Sequence, residues 1–227
     1  TEALVDDALQ AKAKGFNLSK VKIGRPHGSE DHARLAAVRK AVGDGYEIMT
    51  DANQGFSVDE AIRRADRLRD LDLAWIEEPL PADDIDGHVR LNNSTSTPIA
   101  IGESLYSIRH FREYMQKGGC SIVQVDVGRI GGITPWLKVA HAAEAFDIPV
   151  CPHFLMELHV SLVCAIQNGK YVEYIPQLDE LTGSRMTIKE GFAHAPSEPG
   201  IGIDWDWDAI RGRSVEEFTR VVTSKPA

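Results

Sequence analysis

Three carboxylates, Asp51, Glu77 and Glu103, recur along the sequence at a spacing of 26 residues. Each ends a short apolar run that is typical of a buried β-strand. Because the carboxyl ends of parallel strands meet on one rim, we expect the three side chains to converge. Their mutual repulsion would be strong at low dielectric, and a bound cation would remove it. Ligation by oxygen alone predicts a hard ion, Mg²⁺ first and Mn²⁺ second, whereas any one carboxylate alone could be a solvated strand end.

Candidate proton-transfer groups flank these carboxylates along the chain. Lys20 and Lys22 are two residues apart on a predicted strand, so their side chains point to one face. Close ammonium groups lower each other's pKa, which helps a lysine to act as a base near neutral pH. His153 and Asp126 end two later predicted strands, and an Asp beside a His fixes the tautomer of the ring and raises its basicity. Alone, such motifs indicate a solvated edge strand and a turn; their shared position at the rim favours catalysis.

Two adjacent glutamates, Glu77 and Glu78, stand in the segment WIEEPLP, although buried strands seldom carry paired carboxylates. Neighbouring residues of a strand point to opposite sides. Glu77 shares a side with Trp75 and keeps the spacing of the other two carboxylates, so we assign it to the metal site. Glu78 points away, either to orient a nearby lysine or to contact the following loop.

Repeated strand and helix patterns must position these residues. Glu173 and Asn53 also lie at the ends of predicted strands, so the polar rim extends to them. A first helix is predicted over 1–14, and Ser57 with Glu60 forms a capping-box pattern at the start of a later one. The apolar runs between such helices predict an α/β fold with a parallel sheet. The seven predicted strands are 20–24, 46–53, 73–79, 98–104, 121–127, 148–153 and 171–175.

The strand count bears on the architecture. An α/β barrel needs eight strands to close, whereas an open sheet of seven would leave two bare edges. Either the sheet is open, or a strand that precedes Thr1 lies outside this sequence. With no linker or low-complexity tract to divide it, we predict that 1–227 form a single α/β barrel domain, with about 25 C-terminal residues as an extension packing on it. Trp205 and Trp207 are predicted to lie in a strand or turn of that extension.

Composition excludes several classes of partner. The 227 residues carry a net charge of −9, which argues against nucleic acid or an anionic membrane surface as the main partner. No apolar run reaches the length of about 18 residues that a membrane span needs. Three cysteines, Cys120, Cys151 and Cys164, lie far apart in no metal-finger spacing, which is typical of the reducing cytosol, so we expect a cytoplasmic protein.

Seven motifs follow one another along the chain: KVKIG, TDANQ, WIEEP, IGES, VDVGRIGG, PHF and VEY. In this order they resemble the motifs of the enolase superfamily, and within it those of the mandelate racemase and muconate lactonizing enzyme group. They extend from about Gly15 to Glu173, and the later PGIGIDW also resembles the C-terminal segment of the group. The resemblance implies a TIM-type (β/α)7β barrel that in this chain lacks the first strand and an N-terminal capping domain.

The resemblance also implies a role for each candidate residue. Asp51, Glu77 and Glu103 match the Mg²⁺ ligands. Lys22 matches a base on one face of the substrate, and Lys20 matches a residue that contacts the substrate carboxylate and tunes Lys22. The remaining matches are the His153–Asp126 dyad on the other face, Glu173 as an acid that hydrogen-bonds the substrate carboxylate, and Asn53 as a polar residue that contacts substrate.

The implied reaction is Mg²⁺-dependent abstraction of the proton α to a carboxylate, through an enediolate. The stretch CPHFLMELHVSL resembles that of acid-sugar dehydratases, so the expected reaction is dehydration of an aldonate or aldarate to a 2-keto-3-deoxy acid. The alternative is racemisation or epimerisation of a 2-hydroxy acid. The expected partner is a small carboxylate substrate, and we also expect a homo-oligomer.

Two further hypotheses remain open. A Schiff-base aldolase would use Lys22 as its nucleophile but would leave the three carboxylates without a role. A non-catalytic barrel fragment would bind partners or anions only. Other polar residues are interpreted as helix or loop surface, namely Glu157, His159, His27, His32, His88, His110, His141 and His194.

Overall fold

The computed structural model describes residues 1–213 and shows an α/β arrangement of alternating strands and helices. The helices are α1 (Glu2–Ala13), α2 (Gly28–Val42), α3 (Val58–Arg67), α4 (Ile85–Asn92), α5 (Ile108–Lys117), α6 (Ile133–Glu144), α7 (Met156–Cys164) and α8 (Trp207–Arg213), with a 3₁₀ turn at Arg69–Leu71. The strands are β1 (Leu18–Lys22), β2 (Glu47–Asp51), β3 (Trp75–Glu77), β4 (Ile99–Ile101), β5 (Ile122–Val123), β6 (Thr187–Lys189) and β7 (Phe192–His194). Among residues 1–213, none of the helices is long and apolar enough to span a membrane.

The first five strands form a parallel sheet in the order β1-β2-β3-β4-β5. Its register aligns the strand ends, because Lys22 lies opposite Asp51 and Asp51 lies opposite Glu77. The predicted parallel sheet is therefore confirmed, and its carboxyl ends form one rim. The predicted helix cap is also present, since the Ser57 hydroxyl accepts a hydrogen bond from the Glu60 amide at the start of α3.

The sixth and seventh predicted strands are wrong as regular strands. Near the sixth, Val150 makes only single parallel bridges, to Val123 on one side and Gly169 on the other. Pro152 follows closely and has no N–H to donate to a ladder. The segment 171–175 is irregular, because it borders a cavity rather than a partner strand. A β6–β7 hairpin, which was not predicted, turns at Glu190 and Gly191, both in left-handed backbone conformations.

Apolar side chains pack on both faces of the parallel sheet, as expected for parallel strands. Alternation along β2 illustrates this, since Ile48 packs toward the helices and Met49 packs on the opposite face. The helix side holds the larger cluster, with fully buried Leu35 and Trp136 among its members. The opposite side holds a smaller cluster of Met49, Trp75, Ala100, Ile122 and Cys151. The sheet therefore has an inner and an outer apolar layer.

A cavity of about 720 Å³ separates the free edge of β1 from the segment 170–175. Its lining includes Leu18 and Lys20 from β1, Tyr171 and Glu173 from the facing segment, and Val163 from α7. Within residues 1–213, β1 pairs with β2 alone, so the backbone of its other edge faces this cavity. We call this space the edge cavity.

The predicted C-terminal extension is only partly within the described residues. Trp205 forms an antiparallel bridge with Thr182, which agrees with the predicted strand or turn. Trp207 instead opens α8 and is 60% exposed, so the prediction that it packs on the barrel is wrong. The rest of the extension, 214–227, lies outside the described residues.

Candidate active site

The structure brings Asp51, Glu77 and Glu103 together at the rim of the sheet. One carboxylate oxygen from each lies within 4.8 Å of the others. Asp51 and Glu77 are fully buried, and Glu103 is half-buried. The common phase predicted from the 26-residue spacing therefore corresponds to a spatial cluster. An all-oxygen donor set of this kind suits a hard divalent cation.

Glu77 lies at the centre of this cluster and is held from two directions. Trp75 Nε1 and Gln124 Nε2 donate to Glu77 Oε2 at 3.3 and 2.8 Å, and the Lys20 ammonium donates to Oε1 at 2.9 Å. Burial raises the pKa of Glu77; the Lys20 charge opposes this rise and the Asp51 charge adds to it. A cation at the cluster would favour the ionised form, so the electrostatics and the donor atoms both fit a metal site.

The two lysines of β1 project toward the cluster, but their exposure differs. The Lys20 side chain is 19% exposed and pairs with Glu77 and Glu173. The Lys22 side chain is 63% exposed; its ammonium pairs with Asp51 and donates to Asn53 Oδ1 at 2.7 Å. Burial lowers the pKa of Lys20, but the charges of Glu77 and Glu173 outweigh it and raise the pKa above its usual range. The predicted lowering of the lysine pKa is therefore wrong for Lys20.

Asn53 lies in the tight loop that follows β2. Its backbone is left-handed, with φ of 44°, and its backbone N–H donates to Asp51 Oδ1 at 2.8 Å. Asn and Asp tolerate this conformation better than most residues. The loop thereby positions the Asn53 side chain between Asp51 and the Lys22 ammonium.

His153 and Asp126 form the predicted pair on the other side of the carboxylates. His153 Nδ1 lies 2.8 Å from Asp126 Oδ2, and His153 Nε2 lies 3.4 Å from Glu103 Oε2. Burial lowers the pKa of His153, but the hydrogen bond to Asp126 and the charges of Glu103 and Glu173 raise it above its ordinary value. Burial also acts to raise the pKa of Asp126, and hydrogen bonds from His153, Arg129 and Gly128 outweigh it, so that the pKa is lowered.

Glu173 links the two sides of the site, although the strand predicted to carry it is absent. Its Oε1 pairs with the Lys20 ammonium, and its Oε2 accepts a hydrogen bond from the Phe154 amide at 2.7 Å. Phe154 directly follows His153 in the chain. Glu173 therefore contacts the lysine side and the histidine side at once.

Glu78 stays outside the cluster, as predicted, but it lies just beyond β3 in a left-handed backbone conformation, with φ of 38°, and it braces the neighbouring loops. Its carboxylate accepts hydrogen bonds from Gln54 Nε2 at 3.2 Å and from the Ser104 amide at 3.2 Å. Of the two predicted options, it contacts loops rather than orienting a lysine. Gln54 also donates to Ser104 Oγ at 2.9 Å, so the ends of β2, β3 and β4 are joined.

Sequence reasoning missed several residues of the site. Gln124 could have been found, because it is two residues before Asp126 and so shares its side of the strand. Arg129 Nη1 donates to the Glu103 carbonyl oxygen at 2.6 Å, a contact without any local pattern. Gly102 has φ of +151°, and a Cβ there would lie 2.6 Å from the backbone of Gln124. The close approach of β4 to the next strand thus requires glycine directly before Glu103.

The interpretation of eight polar residues as surface is partly wrong. His88 and His159 are fully buried, and both carboxylate oxygens of Glu157 are buried. Each histidine pairs with a carbonyl oxygen through Nδ1, His88 with Asp84 at 2.8 Å and His159 with Phe154 at 2.7 Å, which offsets part of the cost of burying a neutral ring. His32 is half-buried, whereas the remaining four are exposed: His27, His110, His141 and His194.

Comparisons with known proteins find relatives that share the sequence and fold of most of this chain. L-talarate/galactarate dehydratase from Salmonella typhimurium LT2 is 35% identical over 92% of this chain and 53% of its own length. The structure of L-talarate dehydratase from Polaromonas sp. JS666, complexed with Mg and L-glucarate, has a TM-score of 0.89 and 36% identity, covering 92% of this chain and 59% of that one. A Mg-bound racemase from Streptomyces coelicolor A3(2) has a TM-score of 0.91 and 34% identity, covering 94% and 59%.

The chain spans about half the length of the curated relatives it matches. The family model described as Enolase C-terminal domain-like matches residues 3–209, nearly all of the described part. The resemblance that the seven motifs indicated is confirmed. The chain belongs to the enolase superfamily, as a member of the Enolase C-terminal domain-like family.

Proposed function

We propose that this chain carries the active site of a Mg²⁺-dependent enzyme that removes the proton α to a carboxylate and dehydrates an acid sugar to a 2-keto-3-deoxy acid. One observation carries the proposal: proton-transfer groups stand at both ends of the carboxylate cluster. Lys22 contacts Asp51 at one end, and His153 lies 3.4 Å from Glu103 at the other. A substrate between them would offer its α-carbon to a group on either face.

Asp51, Glu77 and Glu103 are the proposed Mg²⁺ ligands, with Mn²⁺ as a substitute. When bound, the ion supplies positive charge that stabilises negative charge on the substrate carboxylate. It would also balance charge that Lys20 and Lys22 balance in this structure. Gln124 and Trp75 orient Glu77 from behind, as residues hydrogen-bonded to metal ligands generally do.

The remaining proposed roles belong to the side chains of this chain. Lys20 and Glu173, the latter as an acid, form hydrogen bonds to the substrate carboxylate. They hold it in place while the α-proton is removed and the enediolate forms. Lys22 or His153 takes that proton, and Asn53 contacts the substrate beside Lys22. In the dehydration, protonated His153 gives its proton to the departing β-hydroxyl, so that water leaves and the enol product tautomerises to the 2-keto acid. Asp126 stabilises the protonated ring.

A racemase or epimerase of 2-hydroxy acids is the second candidate. The same pair of groups favours it, because racemisation needs one group to remove a proton and an opposite group to return one. The racemase from Streptomyces coelicolor A3(2) shares the fold at 34% identity. The two candidates differ only in the fate of the enediolate.

The proposed architecture is a TIM-type barrel in which 1–227 form a single domain that supplies every strand but the first. The edge cavity supports it, because one added strand between β1 and the segment 170–175 would pair both free edges. A segment outside this sequence would supply that strand, next to a capping domain that reads the distal end of the substrate. In the full-length protein, slow hydrogen exchange of the amides of Leu18–Lys22 and 171–175 would support closure, and rapid exchange would contradict it.

A substrate screen tests the proposed reaction. The full-length protein would be incubated with Mg²⁺ and a panel of acid sugars and 2-hydroxy acids, and both keto-acid formation and deuterium uptake from D₂O would be measured. Keto acid that disappears with EDTA supports dehydration, and uptake without keto acid supports racemisation. Trapping of a carbonyl substrate by borohydride, with activity that survives EDTA, would instead support the aldolase.

The proposed setting is the cytoplasm, and the proposed assembly is a homo-oligomer. Light scattering on the purified full-length protein would test the assembly directly. A monomer at micromolar concentration would contradict it.

A further inference from the structure

His159 connects the two loops that carry the His153–Asp126 pair. Its ring is fully buried on α7. The Val127 amide donates to His159 Nε2 at 3.0 Å, and His159 Nδ1 pairs with the Phe154 carbonyl oxygen at 2.7 Å. An N–H can donate only to an unprotonated nitrogen, and a carbonyl oxygen can only accept. The two contacts therefore fix the ring as the neutral tautomer with its proton on Nδ1.

Both backbone groups that His159 contacts adjoin the catalytic pair. Val127 follows Asp126, and Phe154 follows His153. One buried side chain therefore spans the loop after β5 and the loop before α7. The distance of 2.8 Å between His153 Nδ1 and Asp126 Oδ2 depends on how those loops lie relative to each other.

The loop before α7 needs such support, because its backbone is strained. Phe154 and Leu155 have φ values of 58° and 31°, which side-chain-bearing residues seldom adopt. The peptide groups of Phe154 are held at both ends, since its amide donates to Glu173 and its carbonyl oxygen accepts from His159. Without these bonds the strained loop could relax and move His153.

The rest of the His159 environment is built to hold the ring still. The Trp136 ring lies 6.0 Å from it, and Trp136 Nε1 donates to the Val125 carbonyl oxygen at 2.9 Å. Burial lowers the pKa of His159, which favours the neutral form that its two hydrogen bonds require. The ring and its neighbours are thus anchored to the strand segment that leads to Asp126.

We propose that His159 is a positioning residue for the reaction, which holds Asp126 and His153 in contact by bridging their loops. The proposal rests on the proposed function, because it takes His153 and Asp126 to be the proton-transfer pair of that reaction. It assigns His159 to the histidine side alone. The contacts of Lys22 are different, since its ammonium pairs with Asp51 and donates to Asn53 rather than bonding either loop that His159 bridges.

Three substitutions separate the two hydrogen bonds of His159 in the full-length protein. His159→Asn keeps a donor where Nδ1 lies, His159→Gln keeps an acceptor where Nε2 lies, and His159→Phe keeps neither. His88→Asn is the matched control, because His88 is equally buried and bonds a backbone carbonyl oxygen, yet its partners Asp84 and Tyr114 belong to α4 and α5 rather than to either loop.

The expected result is a loss confined to the histidine side. Dehydration should fall about 10- to 100-fold in His159→Phe, as misplacement of a catalytic group generally causes, and less in the Asn and Gln variants. Deuterium exchange at the Lys22 face and Mg²⁺ binding by calorimetry should match the wild type. Equal losses on both faces, or the same loss in His88→Asn, would overturn the proposal.

A spectroscopic measurement keeps this test independent of turnover. The low-field proton on His153 Nδ1, assigned by its absence in His153→Asn, reports the contact with Asp126 directly. It should shift or broaden in His159→Phe and stay unchanged in His88→Asn. An unchanged signal in His159→Phe would refute the positioning role even if every substrate tested proved inactive, whereas failure of the wild type to turn over any acid sugar would count against the proposed function instead.

Discussion

The lysine side and the histidine side of the site are built differently. On the lysine side, Lys22 is 63% exposed and extends from β1, whose other edge faces the edge cavity. On the histidine side, His153 is 15% exposed and Asp126 only 4%, and both stand on irregular loops. One side places its proton-transfer group by a regular strand, and the other by buried side-chain hydrogen bonds.

This difference separates two ways of achieving precision. The register of β1 and β2 sets the backbone of Lys22 opposite Asp51, so strand pairing defines where its side chain starts. The loop of His153 has no ladder and instead depends on contacts from Glu173 and His159. We infer that substitutions remote from the chemistry will damage the histidine side more readily than the lysine side.

The largest effect is expected from a substitution in the carboxylate cluster, which the lysine side and the histidine side share. Glu77→Gln should weaken Mg²⁺ binding by at least about 100-fold, because loss of a ligand exceeds the cost of losing a residue that merely supports one. Calorimetric titration of the full-length protein measures this. Glu78→Gln is the matched control and should have a far smaller effect, since Glu78 faces Gln54 and Ser104. Equal losses would mean that the two adjacent glutamates are assigned wrongly.

Substitutions that inactivate only one of the two sides should have the next largest effect. His153→Asn should reduce dehydration by about 10²- to 10⁴-fold, the usual contribution of a general acid or base, while proton exchange at the Lys22 face continues. Lys22→Met should stop that exchange. Deuterium uptake followed by mass spectrometry resolves the two cases. Normal turnover in His153→Asn would refute the role of the histidine.

A change in pH dependence should follow from Asp126→Asn. Burial lowers the pKa of His153, and the hydrogen bond to the Asp126 carboxylate is the largest contribution that raises it, so replacing this carboxylate with a neutral amide should lower the pKa. As a base, His153 must be neutral, and activity is lost as the pH falls through its pKa. The acidic limb of kcat/KM should therefore move to lower pH. A limb that stays in place or moves upward would show that Asp126 does not set the basicity of His153.

The smallest expected effect tests the lysine side. Asn53→Gly removes the hydrogen bond to Lys22 but tolerates the left-handed backbone at this position. Loss of one such bond should slow exchange at the Lys22 face by about tenfold. Dehydration steps that depend on His153 should be unaffected in single-turnover measurements. A loss at the histidine face would indicate that the two sides are coupled.

The lysine side and the carboxylates could be predicted from sequence because strand periodicity is local. Alternation along β1 and the 26-residue spacing together predicted where Lys20, Lys22 and Glu77 would lie. The burial of His88 and His159 could not be predicted, since each ring bonds backbone atoms whose position no local pattern encodes. The segment 171–175 has the composition of a strand, but composition cannot reveal whether a neighbouring strand is present to pair with it.

Gly102 limits how this rim can diversify. Any side chain at that position would collide with the backbone of Gln124, and no rotamer change could relieve the contact. A mutagenesis library meant to retune substrate choice should therefore fix position 102 and randomise the exposed loops. At Gly102 the backbone contact alone decides which residue is tolerated. At the adjacent Glu103, a proposed metal ligand, the chemistry of the side chain decides.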